Sequence, residues 1–169
     1  MTDLANTVDA RLSSLLDKAE ISELIDRYLV TLDTAELPDR DLEWYGRIFT
    51  RDVRLCFPIG ERTGLAGLPE FQRTARLTWQ ITHHVSGNHV VDLDGDRARA
   101  RVQLIGTHVD YDTSTSGVGD AHRMDMGGHY DVTAVRTEAG WRIDFLEFIV
   151  SWTSGGGKPR SDYSTALRG

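Results

Sequence analysis

The chain has 169 residues, 40% of them hydrophobic and four of them Trp, which fits one domain able to bury its own core. Its net charge of −7, from 19 basic and 26 acidic residues, argues against nucleic-acid binding, which needs a positive footprint. The single cysteine, Cys56, has no intrachain partner, and no secretory leader or membrane-spanning apolar run stands out, so a cytoplasmic protein is the expectation.

In chain order, a short amphipathic arm carrying Val8, Leu12, Leu15 and Leu16 precedes the first long helix. That helix is predicted from about Asp17 to Glu36, because Ile21, Leu24, Ile25, Tyr28, Leu29 and Leu32 recur at three- and four-residue steps. Pro38 ends it, and Asp39 or Asp41 can cap a second helix containing Leu42, Tyr45, Ile48 and Phe49. The segment Asp52 to Phe57 reads as a strand with Val53, Leu55 and Phe57 on one face, broken by Pro58-Ile59-Gly60. A third helix is predicted from about Leu68 to Trp79.

From residue 82 the pattern becomes extended. Two strands flank an Asp94-Gly95 turn, and two more flank Glu138-Ala139-Gly140. The stretch Asp112 to Asp125 reads as a loop. Residues 1–153 are therefore expected to form one α+β domain, with 154–169 a Gly-rich tail. Arg97, Arg99 and Arg101 alternate with small apolar residues and read as the outer face of a strand.

Several residues could carry chemistry. Asp33 lies in the last turn of the first helix, where an anion opposes the macrodipole. Either it is a solvated acid at the helix end, or it is partly desolvated with a raised pKa suited to base work. His108 continues the face defined by Ala98, Ala100, Val102, Leu104 and Gly106, so its imidazole points inward and needs a partner. Of the adjacent His83 and His84, one points in and one out, and a bulge at Gly87 would scramble which. His89 reads as a surface residue. No HxH, HExxH or cysteine pair supports a metal site, and Cys56 lies on the face opposite Val53 and Leu55, away from any sequence-local histidine.

The segments AEISELIDRYLVTLDTAE, DVRLCF, ITHHVSGN, LIGTHVDY and GGHYDVTAVRTEAGWRIDFLEFIVSW, in this order from Asp17 to Thr153, resemble the SnoaL-like group of the nuclear transport factor 2-like superfamily, scytalone dehydratase most of all. The resemblance implies a cone-shaped α+β barrel, a curved antiparallel sheet wrapped around N-terminal helices. It also implies a cofactor-free lyase in which an Asp ending the first helix partners an active-site His. Asp33 matches that Asp, His84 the His, and His108 a second pocket His. Two phenols of scytalone dehydratase are replaced by Leu32 and Phe57, and its Ser and Asn on the penultimate strand by His129 and Asp131, so scytalone is not the expected substrate. Tyr28, Tyr45, Phe57, His129, Asp131 and Glu147 are expected to contact substrate instead.

On this reading His84, oriented by Asp33, removes a proton from a small cyclic or polyketide-like molecule, and His108 or Tyr45 donates to the departing or developing oxygen. Dehydration, isomerisation and cyclisation share that first step. The rival reading is a non-catalytic ligand-binding or assembly domain, such as a ring-hydroxylating dioxygenase β subunit. No cofactor, metal, nucleic acid or membrane partner is expected. Trp141, Phe145 and Ile149 alternate with Leu146, Phe148, Val150 and Trp152, making the last strand apolar on both faces, so a homodimer or homotrimer is expected.

Overall fold

The computed structural model describes residues 2–33, 41–77, 79–111 and 121–155. The expected end of the first helix at Glu36, the stop at Pro38, the Asp39 cap, most of the 112–125 loop and the tail beyond residue 155 lie outside the described residues. Among the described residues three helices and six strands follow one another as α1 (Thr2–Asp33), α2 (Leu42–Gly46), β1 (Phe49–Phe57), β2 (Gly60–Thr63), α3 (Leu68–Leu77), β3 (Ile81–Asp94), β4 (Arg97–Tyr111), β5 (Ala121–Thr137) and β6 (Gly140–Ser154). The strands form one sheet in the order β2-β1-β6-β5-β4-β3. All neighbours are antiparallel except β1 and β6, which pair in parallel. The expected all-antiparallel sheet is thus a mixed one, because β1 arrives from the helical region and docks beside β6 with the same direction.

The apolar stripe of α1 packs on the concave side of the sheet. Ile21, Leu24, Ile25, Tyr28 and Leu29 are all buried there against β-strand residues such as Val102, Val132, Ile143 and Leu146. The expected separate arm is instead the first half of the same helix, and Val8, Leu12, Leu15 and Leu16 stand exposed along it. Its middle is tied to the β5–β6 hairpin by polar contacts. Asp17 accepts from the Trp141 indole at 3.0 Å and from Arg136 at 2.7 and 2.9 Å, while Glu20 accepts from the Trp141 amide.

Two helix boundaries differ from expectation. The N-cap is Asp41, whose carboxylate accepts from the Trp44 amide at 2.8 Å, but the helix closes at Gly46. Ile48 is buried just past it and Phe49 opens β1, so neither belongs to the helix. Likewise α3 is described as Leu68–Leu77, and Trp79, expected within it, lies in a bend outside the helix. The Pro58-Ile59-Gly60 break reverses the chain rather than merely ending the strand: Gly60 adopts a φ of +139° and β2 returns along β1. The Asp94-Gly95 and Glu138-Ala139 turns lie where expected, closing Asp94 onto Arg97 and Thr137 onto Gly140. Part of the expected 112–125 loop is strand, since β5 begins at Ala121.

Bulges set the faces of β6. One extra residue, Asp144, separates the pairs Ala134–Ile143 and Thr133–Phe145. Without it Trp141 and Phe145 would share a face; with it Trp141, Ile143, Leu146 and Phe148 are all buried toward the core. Phe145, Glu147 and Ile149 then belong to the outer, convex face, so the expected grouping of Trp141 with Phe145 and Ile149 does not hold.

Candidate active site

At the open end of the curved sheet, α1, α3 and the inner faces of β3, β4 and β5 enclose a cavity of about 380 Å³. Its walls are mostly apolar: Leu32 from α1, Phe57 from β1, Phe71 from α3, Met124 and Met126 from β5, and Phe148 from β6. The polar lining consists of Thr82, His84, His108, Gln72, Tyr28 and Tyr130. Among the described residues no lysine, arginine or carboxylate faces this space.

Asp33, at the last described turn of α1, sits directly behind His84. Its Oδ1 lies 2.6 Å from His84 Nδ1, and its Oδ2 accepts from the His84 amide, also at 2.6 Å. Thr82 adds a third contact, its hydroxyl donating to Asp33 Oδ1 at 3.0 Å and reaching the Leu32 carbonyl at the same distance. The Asp33 and His84 side chains are only 17% and 9% exposed, respectively. Burial pushes the Asp33 carboxyl upward, but the hydrogen bonds from the His84 ring and amide, attraction to His84 and the Thr82 hydroxyl outweigh it and hold Asp33 below its ordinary value. Of the two readings of Asp33, the geometry therefore gives neither a solvated acid nor a carboxyl raised for base work. It is an ionised anchor for the imidazole. With that anion against Nδ1, the tautomer that fits the contact has its proton on Nδ1 and its lone pair on Nε2.

Strand parity decides between the adjacent histidines. His84 pairs with Gly106 and Ser86 with Leu104, before the register shift between Gly87 and Val90, so Thr82 and His84 face inward and His83 outward. The bulge exists, with Asn88 at a φ of 52°, but it lies beyond the histidine pair. Gly106 makes the close approach possible: a Cβ there would lie 3.0 Å from His84 Cδ2 and 3.4 Å from His108 Cε1.

His108 faces the cavity as β4 parity predicts. Its ring meets His84 edge to face at 5.2 Å and Trp79 at 5.4 Å. Burial, with repulsion from His84, lowers its pKa from 6.5 to about 4, so it is a neutral imidazole at physiological pH. Its Nδ1 is buried and has no hydrogen-bond partner among the described residues.

Other expected contact residues separate into two groups. Tyr28 and Phe57 line the cavity. Tyr45 does not: it is buried in the core, between Trp44 and Phe49. His129, Asp131 and Glu147 lie on the outer face, because Tyr130, Val132, Leu146 and Phe148 take the inward positions beside them. There Asp131 binds Arg101 in a two-pronged pair at 2.7 and 2.8 Å. His89, expected at the surface, is half-buried, its Nε2 3.4 Å from Asp26. Thr82, Gln72 and Gly106 complete the site without having been singled out. Gln72 had a visible signal, for Leu68, Phe71, Gln72 and Ala75 follow the spacing of one helix face, with a single polar member. No group of three or more His, Cys, Asp or Glu that could hold a metal occurs among the described residues, and no helix there is long and apolar enough to cross a membrane.

A curved mixed sheet closed by an N-terminal helix over a cavity with an Asp–His pair defines a class of α+β protein. The chain belongs to the SnoaL-like domain family, which matches residues 13–147. It is similar to the Kfla4162 protein from Kribbella flavida, with 27% identity, TM-score 0.70, and coverage of 92% of this chain and 99% of that one. A hexachlorocyclohexane dehydrochlorinase (LinA, type 2) shares the fold at 15% identity and TM-score 0.70, covering 89% and 97% of the two chains. A scytalone dehydratase-like protein from Novosphingobium aromaticivorans does so at 19% identity and TM-score 0.64, covering 94% and 93%. Among curated proteins, none matches the chain.

Proposed function

We propose that this protein is a cofactor-free lyase or isomerase acting on a small, uncharged ring compound, with His84 as general base and Asp33 as its positioning residue. The observation that carries this reading is the double contact of Asp33 with the ring and the amide of His84 at the cavity wall. A carboxylate so held fixes both the tautomer and the direction of the imidazole, leaving Nε2 as the proton acceptor. Two fold neighbours whose names denote eliminations, the dehydrochlorinase and the scytalone dehydratase-like protein, support the same class.

In the dehydration form of the reaction, Nε2 takes a proton from a carbon next to a carbonyl. The electrons of the broken C–H bond form a C=C bond as the adjacent C–O bond breaks, and the imidazolium returns the proton to the departing hydroxyl, which leaves as water. In isomerisation the same proton returns to another carbon. His108 is neutral and cannot compete for the proton; its role is to hydrogen-bond an oxygen close to the reacting carbon. The apolar walls keep water away from the enolate.

Proton abstraction can be measured before the natural substrate is identified. Deuterium exchange at the α-carbon of neutral cyclic ketones, followed by NMR in D₂O, is expected with the wild-type protein. Asp33→Asn and His84→Ala should each slow it by about 10²–10⁴-fold. Unchanged exchange in both variants, or a rate independent of pH from about 5 to 9, removes His84 as the base.

A further inference from the structure

We propose that Tyr28 and Gln72 form a second polar subsite in the cavity, which hydrogen-bonds a carbonyl or hydroxyl oxygen of a neutral ring compound at a point separate from the Asp33–His84 pair. Gln72 is the one polar side chain among the described residues that is buried with the core, at 6% exposure. An amide placed on the apolar face of α3 is costly unless bonded. Its Nε2 donates to Tyr28 Oη at 2.6 Å, across 44 residues of sequence, and both side chains line the cavity. A Leu–Phe pair would fill the same volume without desolvating two polar groups.

Because the phenol oxygen accepts from Gln72, its own O–H is left to donate, and no acceptor for it occurs among the described residues. Burial, with Tyr130 and Tyr45 adding to it and the Gln72 contact opposing, raises the Tyr28 pKa well above its ordinary value, so the donor persists at any working pH. Tyr28 and Leu32 are four residues apart on the same face of α1 and line the same cavity. Leu32, the residue next to Asp33, offers no hydroxyl. The nearest donor on this helix face is therefore one turn further back, about 5.4 Å along the axis.

The surrounding walls define the ligand class. Phe57 and Phe71 stack at 6.0 Å, and Tyr130 meets Phe148 at 5.2 Å, surfaces suited to a flat carbon frame. With no cationic side chain facing the cavity among the described residues, a carboxylate or phosphate has nothing to neutralise it. A ring ketone or phenol fits both observations.

The proposal rests on the lyase reading only in calling this oxygen part of the substrate; the subsite itself is tested by binding. The probes are 1-tetralone and tetralin, which share a carbon frame and differ in one carbonyl oxygen, titrated by calorimetry or NMR. Wild type is expected to favour tetralone by about tenfold, the size of one neutral hydrogen bond. Tyr28→Phe should abolish the preference while leaving tetralin affinity unchanged, and Gln72→Met should reduce it. The infrared carbonyl stretch of bound tetralone should rise in Tyr28→Phe and lie between the two in Gln72→Met, marking Gln72 as a positioning residue. The preference should survive His84→Ala. Equal or undetectable binding of the two probes to wild type, a preference retained in both Tyr28→Phe and Gln72→Met, or one lost in His84→Ala overturns the subsite. Intact tetralone preference without α-proton exchange would sink the lyase reading and leave the subsite standing.

Discussion

The neutral, buried His108 makes a quantitative prediction about acid stability. In the unfolded chain its imidazole titrates near 6.5, and in the folded protein near 4. Between those values the unfolded state binds a proton that the folded state refuses, so stability falls as pH falls, and the loss is complete below about pH 4. Worked from these two constants, acidification from about pH 7 to about pH 5 removes about 2 kcal/mol through this one group. In a chain of this size that corresponds to roughly 4–8 °C in Tm. Asp33 and Asp17 act in a different window. Both are held below the ordinary carboxylate value in the folded state, so their stabilisation is present above that value and disappears only as pH falls below it. His108→Leu separates the two effects: it removes the titrating group and the unpartnered Nδ1 while keeping an apolar wall. Urea or thermal unfolding of both proteins at the two pH values should show wild type losing about 2 kcal/mol more than the variant. Equal losses would refute the assignment of His108 as a buried neutral imidazole.

Two further outcomes are expected beyond the Asp33→Asn and His84→Ala exchange experiment. Gly106→Ala places a methyl 3.0 Å from the His84 ring; stability should fall by only about 1 kcal/mol, while α-proton exchange falls about tenfold or more because the imidazole is pushed off its line. An unaltered exchange rate would show that the ring has room to spare. On the outer face of the sheet, Val85, Ile105, Gly127 and Trp152 are paired in one row across four strands, with Val85 53%, Ile105 54% and Trp152 48% exposed. The missing side chain at Gly127 leaves room for the Trp152 ring, since a Cβ there would lie 2.3 Å from it. Such a row is expected to be covered by a second copy, so light scattering should return a dimer or trimer and Ile105→Glu should lower the mass. A wild-type monomer would contradict this.

Features that depend on local periodicity are legible in the amino-acid order alone. The α1 stripe from Ile21 to Leu29, the inward run from Ala98 to His108 and the two tight turns all follow from repeats of 3.6 or 2 residues and from residues suited to reversing the chain. Asp33 and His108 were legible for the same reason, being the next members of a helix face and a strand face. Tertiary structure decided what periodicity cannot carry across an insertion or between distant segments. The extra residue at Asp144 realigned β6, and parity on β5 turned His129 and Asp131 outward, although resemblance had placed them in the pocket. The pairing of His84 with Gly106, short of the bulge after Gly87, left His84 rather than His83 inside. The parallel docking of β1 on β6, the contact of Asp33 with a histidine 51 residues away and the meeting of Gln72 with Tyr28 are non-local pairings. Each is selected by how whole elements stack, and no window of neighbouring residues encodes it.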